Sequence, residues 1–247
     1  MTQLTLRAVA MSQAARPAGQ RLSRETIIEA YLRIADAQGH DGVNMRRLGR
    51  ELGVDATAVY RYFRDKDEIL AMAAARLLRE VVRDVPEAGP WRERLRALLL
   101  SLRGVYLAHP NALLALQLSA PMLEEGYENV DLALALLRES GLPEDEIPLA
   151  FEALETYTIG GTVFDARATR ESLERWRRVY TGMPESRYPN LASTGRRLYT
   201  DMEKAFSYAL DLFFDAIEAK AHFHNKSRTV STSPPRSYKK EPQANLA

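Results

Sequence analysis

Residues 45–70, MRRLGRELGVDATAVYRYFRDKDEIL, set two very short helical patterns, split by Gly53-Val54, directly before a longer one. Helices below roughly 12–15 residues are marginal in water on their own, so neither piece can stand alone. Gly53 sits where a tight turn wants a residue tolerant of positive φ, and Val54 can plug the angle between two helices. Asn44 and Asp55 are available as N-caps, with Leu48 and Leu52 inward on the first piece and Val59 and Phe63 inward on the second. Thr57 and Arg61, four apart, lie on roughly the opposite face, with Tyr60 alongside. One side is apolar; the other offers a hydroxyl, a phenol and a guanidinium.

Such a rod, thin enough for a major groove and braced from behind, is what a recognition helix needs. The pair therefore reads as a helix-turn-helix. The competing reading is an ordinary helical hairpin packed inside a larger bundle.

Around this pair the period is helical nearly throughout, and no credible strand is present. Ser23 is placed to cap a first helix, with Ile27, Ile28, Tyr31, Ile34 and Ala35 apolar and Gly39 as its stop. Asp65 and Glu68 give an Asp-x-x-Glu start to a fourth helix running to about Asp84, before Pro86, Gly89 and Pro90. A further helix runs from Trp91 to His109-Pro110, and shorter pieces follow, one from about Gly126 to Ser140. Residues 145–168 predict a long, largely buried helix, interrupted chemically by Gly160-Gly161. A loop-like stretch, YTGMPESRYPN, precedes a last helix from about Thr194 to Ala221 with Leu198, Met202, Phe206, Leu210, Phe213 and Ile217 on one side.

The expected fold is all-α: residues 1–20 a mobile arm, 21–70 a three-helix helix-turn-helix domain whose fourth helix continues to about 84, 71–222 a larger helical bundle, and 223–247 a disordered basic tail. Met11 is a second candidate start. Net charges of +2, −6 and +5 over residues 1–70, 71–219 and 220–247 put basic ends around an acidic middle. That suits a polyanion partner for one end without establishing it.

Other function classes find little support. The chain has no cysteine and four histidines, and His222 and His224, two apart, point to different sides of a helix rather than at one metal. No Asp/Glu/His set recurs at ligand spacing and no Gly-rich loop follows a strand, so no catalysis, metal or cofactor is expected. No apolar run approaches the roughly 20 residues that span a bilayer, and residues 1–20 lack the compact core of a secretory signal. The expectation is a cytoplasmic protein.

Residues 23–70, SRETIIEAYLRIADAQGHDGVNMRRLGRELGVDATAVYRYFRDKDEIL, resemble the N-terminal domain of the tetracycline-repressor (TetR) family. The likeness is carried by Ala30 and Ile34, Gly39, the MRRLGRELGV helix and turn, Tyr60, Phe63 and Lys66, in order and at the right spacing. Gly49 stands where the family usually has Ala, at a helix-propensity cost of up to about 1 kcal/mol, and Tyr62 where it often has His. The resemblance implies that Thr57 and Arg61 meet base edges, with Arg61 able to fork onto guanine, and that Tyr60 and Lys66 hold phosphates. It implies further backbone contacts from Asn44 and Arg46, and flanking contacts from Arg21 and Arg24, although a solvated surface charge explains the outer arginines as well.

WRERLRALLLSLRGVYLAHP and RYPNLASTGRRLYTDMEKAFSYALDLFF resemble, more loosely, the C-terminal domain of the tetracycline-repressor subgroup. This implies a ligand-binding and dimerisation domain, with the helices near 145–168 and 194–221 pairing with a second copy, and an apolar or aromatic small-molecule effector. Candidate pocket residues are Tyr106, His109, Gln117, Tyr157, Phe164 and Trp176, polar-tipped or aromatic, for each of which plain core packing is the alternative. The implied function is a repressor that binds a palindromic operator in double-stranded DNA as a homodimer and is released by its effector. A constitutive DNA-binding dimer of the same fold is the alternative, activation in place of repression is a further one on which the sequence is silent, and a helical enzyme is the remote one.

Overall fold

Local capping sets the first elements of the computed structural model, which describes residues 21–112, 115 and 124–231, the last few and 124–125 by backbone alone. The predicted arm, Gln117 and residues 232–247 lie outside the described residues. Helix α1, Arg24–Gln38, begins with a reciprocal box: Ser23 Oγ accepts from the Thr26 N–H at 3.2 Å, and Thr26 Oγ1 accepts from the Ser23 N–H at 3.0 Å. It ends at Gly39, φ 78°, and a 3-10 turn at His40–Gly42 follows. Asn44 caps α2, Met45–Leu52, which stops at left-handed Gly53, φ 65°. Asp55 caps α3, Ala56–Tyr60, and Asp65 caps α4, Lys66–Arg83, through the N–H groups of Asp67 and Glu68.

Helices α1 to α4 close around Ile27, Tyr31, Leu48, Val59, Phe63 and Ile69, all buried. Helix α4 then leaves this head and enters the larger bundle of α5, Trp91–Ala108, α6, Glu124–Glu139, α7, Ile147–Arg167, and α10, Met202–Ser231. Its core joins Val81 of α4, Leu95, Leu98 and Leu99 of α5, Leu136 and Leu137 of α6, Leu154 of α7 and Phe206, Leu210 and Phe214 of α10. The head's core also takes in Tyr106 and Ala112, so the two units are joined at the end of α5. No helix among the described residues is long and apolar enough to cross a membrane.

Four expectations need correction. Helix α7 is not largely buried: Ile147, Leu154, Thr158 and Thr162 face inward, while Leu149 and Phe164 stand exposed on its outer side. Gly160-Gly161 do not interrupt it, and a Cβ on Gly160 would meet nothing within 4 Å, so no contact within this chain requires that glycine. The last helix starts at Met202, not Thr194, because Asp201 Oδ1 caps it on the Lys204 N–H at 2.8 Å; Leu198 and Tyr199, φ 55°, precede it. That helix runs on to Ser231, through residues expected to be tail, since neither glycine nor proline occurs between Gly195 and Pro234.

Two helices were not foreseen, α8, Arg170–Thr181, capped by Thr169, and α9, Pro189–Thr194, which takes in the end of the expected loop. Neither buries a residue, although α8 carries Leu173, Trp176 and Tyr180 at i, i+3 and i+7 on one face.

Candidate nucleic-acid interface and cavity

Helix α3 is five residues long and is held from behind. Val59 is fully buried, and Phe63, in the turn beyond the helix, nearly so. Helix α2 approaches closely: the Val54 N–H donates to the Gly49 carbonyl at 2.9 Å. A Cβ on Gly49 would sit 2.8 Å from the Val54 carbonyl oxygen, closer than real Cβ atoms come. The glycine that departs from the family pattern thus permits the approach that braces α3.

On the opposite side Thr57, Tyr60 and Arg61 are exposed, Tyr60 by 56%. Arg61 is the C-cap of α3, set by the end of the helix rather than lying along it. The Thr57 N–H donates to Asp55 Oδ1 at 2.8 Å, and hydrogen bonding from Thr57 holds the Asp55 carboxyl below its usual range. Arg46 and Asn44 are exposed at the start of α2, with Asn44 Oδ1 accepting from the Arg47 N–H at 2.9 Å. Lys66 opens α4, its Nζ 3.8 Å from Asp41 Oδ1.

The flanking arginines differ. Arg21 is exposed just before α1. Arg24 is committed within the head: its Nη2 bonds Glu68 Oε1 at 3.1 Å and its guanidinium lies 4.3 Å from the Phe63 ring centroid. Glu68 also accepts the Arg64 N–H at 2.7 Å, and that bond above all lowers its pKa. Asp65 is lowered mainly by the Glu68 N–H. The two carboxylates fix the corner between α3 and α4.

Two contacts escaped the sequence reading because each joins distant residues. Tyr62, where the family often has His, donates its hydroxyl to the Leu22 carbonyl at 2.9 Å, tying the segment after Arg21 to the recognition side. Tyr31 Oη lies 2.6 Å from His40 Nδ1, and His40 Nε2 lies 3.2 Å from Asp67 Oδ1. With Nδ1 accepting the phenol proton and Nε2–H donating to Asp67, the 3-10 turn is pinned to the start of α4. Burial raises the Tyr31 pKa, keeping the phenol a donor.

The larger domain holds a partly open cavity of about 150 Å³ between α4, α5, α6 and α7. Its wall is apolar, with Leu99, Leu102, Leu137 and Phe151 prominent, and Tyr106, Asn129 and Glu155 bring the polar groups. Asn129 is oriented by donating Nδ2 to the Leu78 carbonyl at 3.1 Å. Burial, reinforced by Glu152, raises the pKa of Glu155.

Of the candidate pocket residues that are described, only Tyr106 lines this cavity. His109 instead lies 2.7 Å from Asp36 Oδ2 at the end of α1, where Asn111 Nδ2 also bonds the Asp36 carbonyl at 3.0 Å. Tyr157 stacks on Phe206 with centroids 5.2 Å apart, Phe164 is exposed, and Trp176 is half exposed beside Tyr180 on α8. The sequence did not fix the rotation of α7, whose cavity side is Phe151, Leu154, Glu155 and Ile159. A buried polar group was also missed: Arg103 bonds Asp165 Oδ2 at 2.6 Å and Thr162 Oγ1 at 3.3 Å, with Phe206 4.3 Å from its guanidinium.

Comparison with known proteins places both units. Residues 27–79 match the family described as bacterial regulatory proteins, tetR family, and residues 85–221 match the tetracyclin repressor-like C-terminal domain. The chain belongs to the tetracycline-repressor family. This family member is 29% identical over 211 residues to the HTH-type transcriptional repressor DrrR1 of Streptomyces coeruleorubidus, covering 80% of this chain and 77% of that one. It is 26% identical to the tetracycline repressor protein class D of Escherichia coli, over 81% of this chain and 91% of the relative. In fold it is similar to apo ActR of Streptomyces coelicolor, with a TM-score of 0.69 at 24% identity, over 84% of this chain and all of ActR. It is also similar to ActR in complex with actinorhodin, with a TM-score of 0.63 at 23% identity, over 82% of this chain and 99% of ActR. Its relatives are transcriptional regulators, which places this tetracycline-repressor family member among DNA-binding regulators.

Proposed function

We propose that this chain is a repressor that binds a palindromic DNA operator as a homodimer and is released when a small molecule fills the cavity between α4 and α7. The observation that carries the reading is the two-sided α3, with Val59 and Phe63 buried behind and Thr57, Tyr60 and Arg61 presented outward. Residues 21–70 form the reading unit, and α4 connects it to the bundle. Thr57 and Arg61 read bases; Tyr60, Lys66, Asn44 and Arg46 hold phosphates; Arg21 reaches the flanking backbone. Arg24 reaches it only by leaving Glu68.

A second copy is favoured by an exposed apolar stripe on each of two adjacent helices, Leu149, Ala153, Gly160 and Phe164 on α7 and Tyr208, Leu212, Ala216 and Ala219 on α10. Four such helices burying these faces set two recognition helices about 34–36 Å apart, one turn of duplex. The existence of the cavity, and of ActR in complex with actinorhodin on the same fold, supports a small-molecule effector.

Selection of bound fragments from genomic DNA by the purified full chain tests the reading. The expected product is an inverted repeat whose half-sites lie one turn apart, bound with a steep salt dependence. Recovery of fragments without a shared repeat would overturn it.

A further inference from the structure

The cavity wall holds a carboxyl that nothing in the described chain neutralises. Glu155 is the only charged residue among the described lining residues, and it has no hydrogen bond or ion pair among the described residues. Other inward carboxylates are matched: Asp165 with Arg103 and Asp36 with His109. Glu155 is half-buried, and the other residues of its helix on this wall, Phe151, Leu154 and Ile159, are apolar and offer a carboxylate little solvation. The strain shows as a pKa raised first by desolvation and then by Glu152 on the same helix. Glu152 is exposed, so it adds negative potential near this wall without meeting a ligand inside. Residues 71–219 as a whole carry a net charge of −6, which draws cations toward the domain.

A ligand complementary to this wall has an apolar body for the leucines and phenylalanine and one positive donor for the carboxyl. We propose that the cavity takes a lipophilic cation, an aromatic or alicyclic body bearing a protonated amine that pairs with Glu155. The proposal rests on the reading of the cavity as an effector site. The amine converts an unpaired, half-buried carboxyl into a charge-assisted hydrogen bond, with Asn129 and Tyr106 as the remaining polar groups along the wall. A carboxylate ligand meets like charge, and a neutral one leaves Glu155 as it was.

The test titrates the full-length protein by calorimetry with three probes of one shape: 1-naphthylmethylamine, 1-naphthalenemethanol and 1-naphthoate. The amine is expected to bind about tenfold or more tighter than the alcohol, with naphthoate weakest. Glu155→Gln removes the preference while keeping affinity for the alcohol; Glu155→Met reads the same loss should the amide perturb the fold. Glu152→Gln retains most of the preference. Equal binding of amine and alcohol, tighter binding of naphthoate, no saturable binding of the amine, or a preference that survives both Glu155 substitutions overturns the proposal. Displacement of a selected operator fragment is measured separately. Glu155-dependent amine binding that leaves the DNA complex intact removes the switch and keeps the ligand class.

Discussion

Arg61 and Arg103 carry the same guanidinium into opposite settings, and their substitutions should report differently. Arg61 is exposed at the end of α3, so Arg61→Ala leaves the thermal midpoint nearly unchanged. It should cost about 1–3 kcal/mol on operator DNA and less on random DNA, read by competition binding. Equal loss on both would remove its base-reading role. Arg103 is buried, and Asp165 is its carboxylate partner. Asp165→Ala should destabilise the fold by about 3–5 kcal/mol, because it strands a buried cation. Replacing both residues with apolar ones should recover most of that loss in chemical denaturation.

At the scale of the element, what could be read from sequence was what is encoded within a few residues. Ser23, Asn44, Asp55 and Asp65 all cap the helices expected of them, since a cap and its N–H partner lie two or three residues apart. The cavity was largely illegible, because whether Glu155 or Tyr157 faces it depends on a rotation of α7 fixed by α5 and α10. Helix α8 was missed although Leu173, Trp176 and Tyr180 recur at helical spacing, because that short stripe lies in a segment rich in arginine and glutamate. Ser23→Ala should lower stability by about 1 kcal/mol through loss of the capping box, measured by thermal unfolding.

The corner between α3 and α4 adds a pH dependence of defined sign. Asp55, Asp65 and Glu68 are all held below their usual values, chiefly by hydrogen bonds from Thr57, Glu68 and Arg64 respectively. A carboxylate lowered on folding contributes stability that is present above its unfolded pKa and lost as the pH falls through the folded one. Amide hydrogen exchange in residues 55–68 should therefore be insensitive between pH 5 and 7, once corrected for intrinsic rates, and should accelerate below about pH 4. Acceleration on raising the pH instead would contradict this assignment.

For the whole molecule, the exposed stripes on α7 and α10 make a prediction that separates folding from assembly. Leu212 is 53% exposed on α10 and lies outside the core cluster of its own chain. Leu212→Glu should leave helix content intact, yield a monomer in sedimentation velocity and weaken operator binding steeply, because a single head reads half a site. An unchanged dimer would place the interface elsewhere.

Tyr106 belongs at once to the cavity wall and to the interior of the head, and His109 and Asn111, just beyond it, grip the end of α1. This shared residue is the route by which, in the proposed switch, an occupant of the hollow would act on the head. If the small molecule releases the operator as proposed, thermodynamic reciprocity makes the traffic two-way: the operator must loosen the small molecule by the same factor. A cell carrying many operator copies would then need more of the compound to achieve the same response, an influence of gene dosage on the proposed switch.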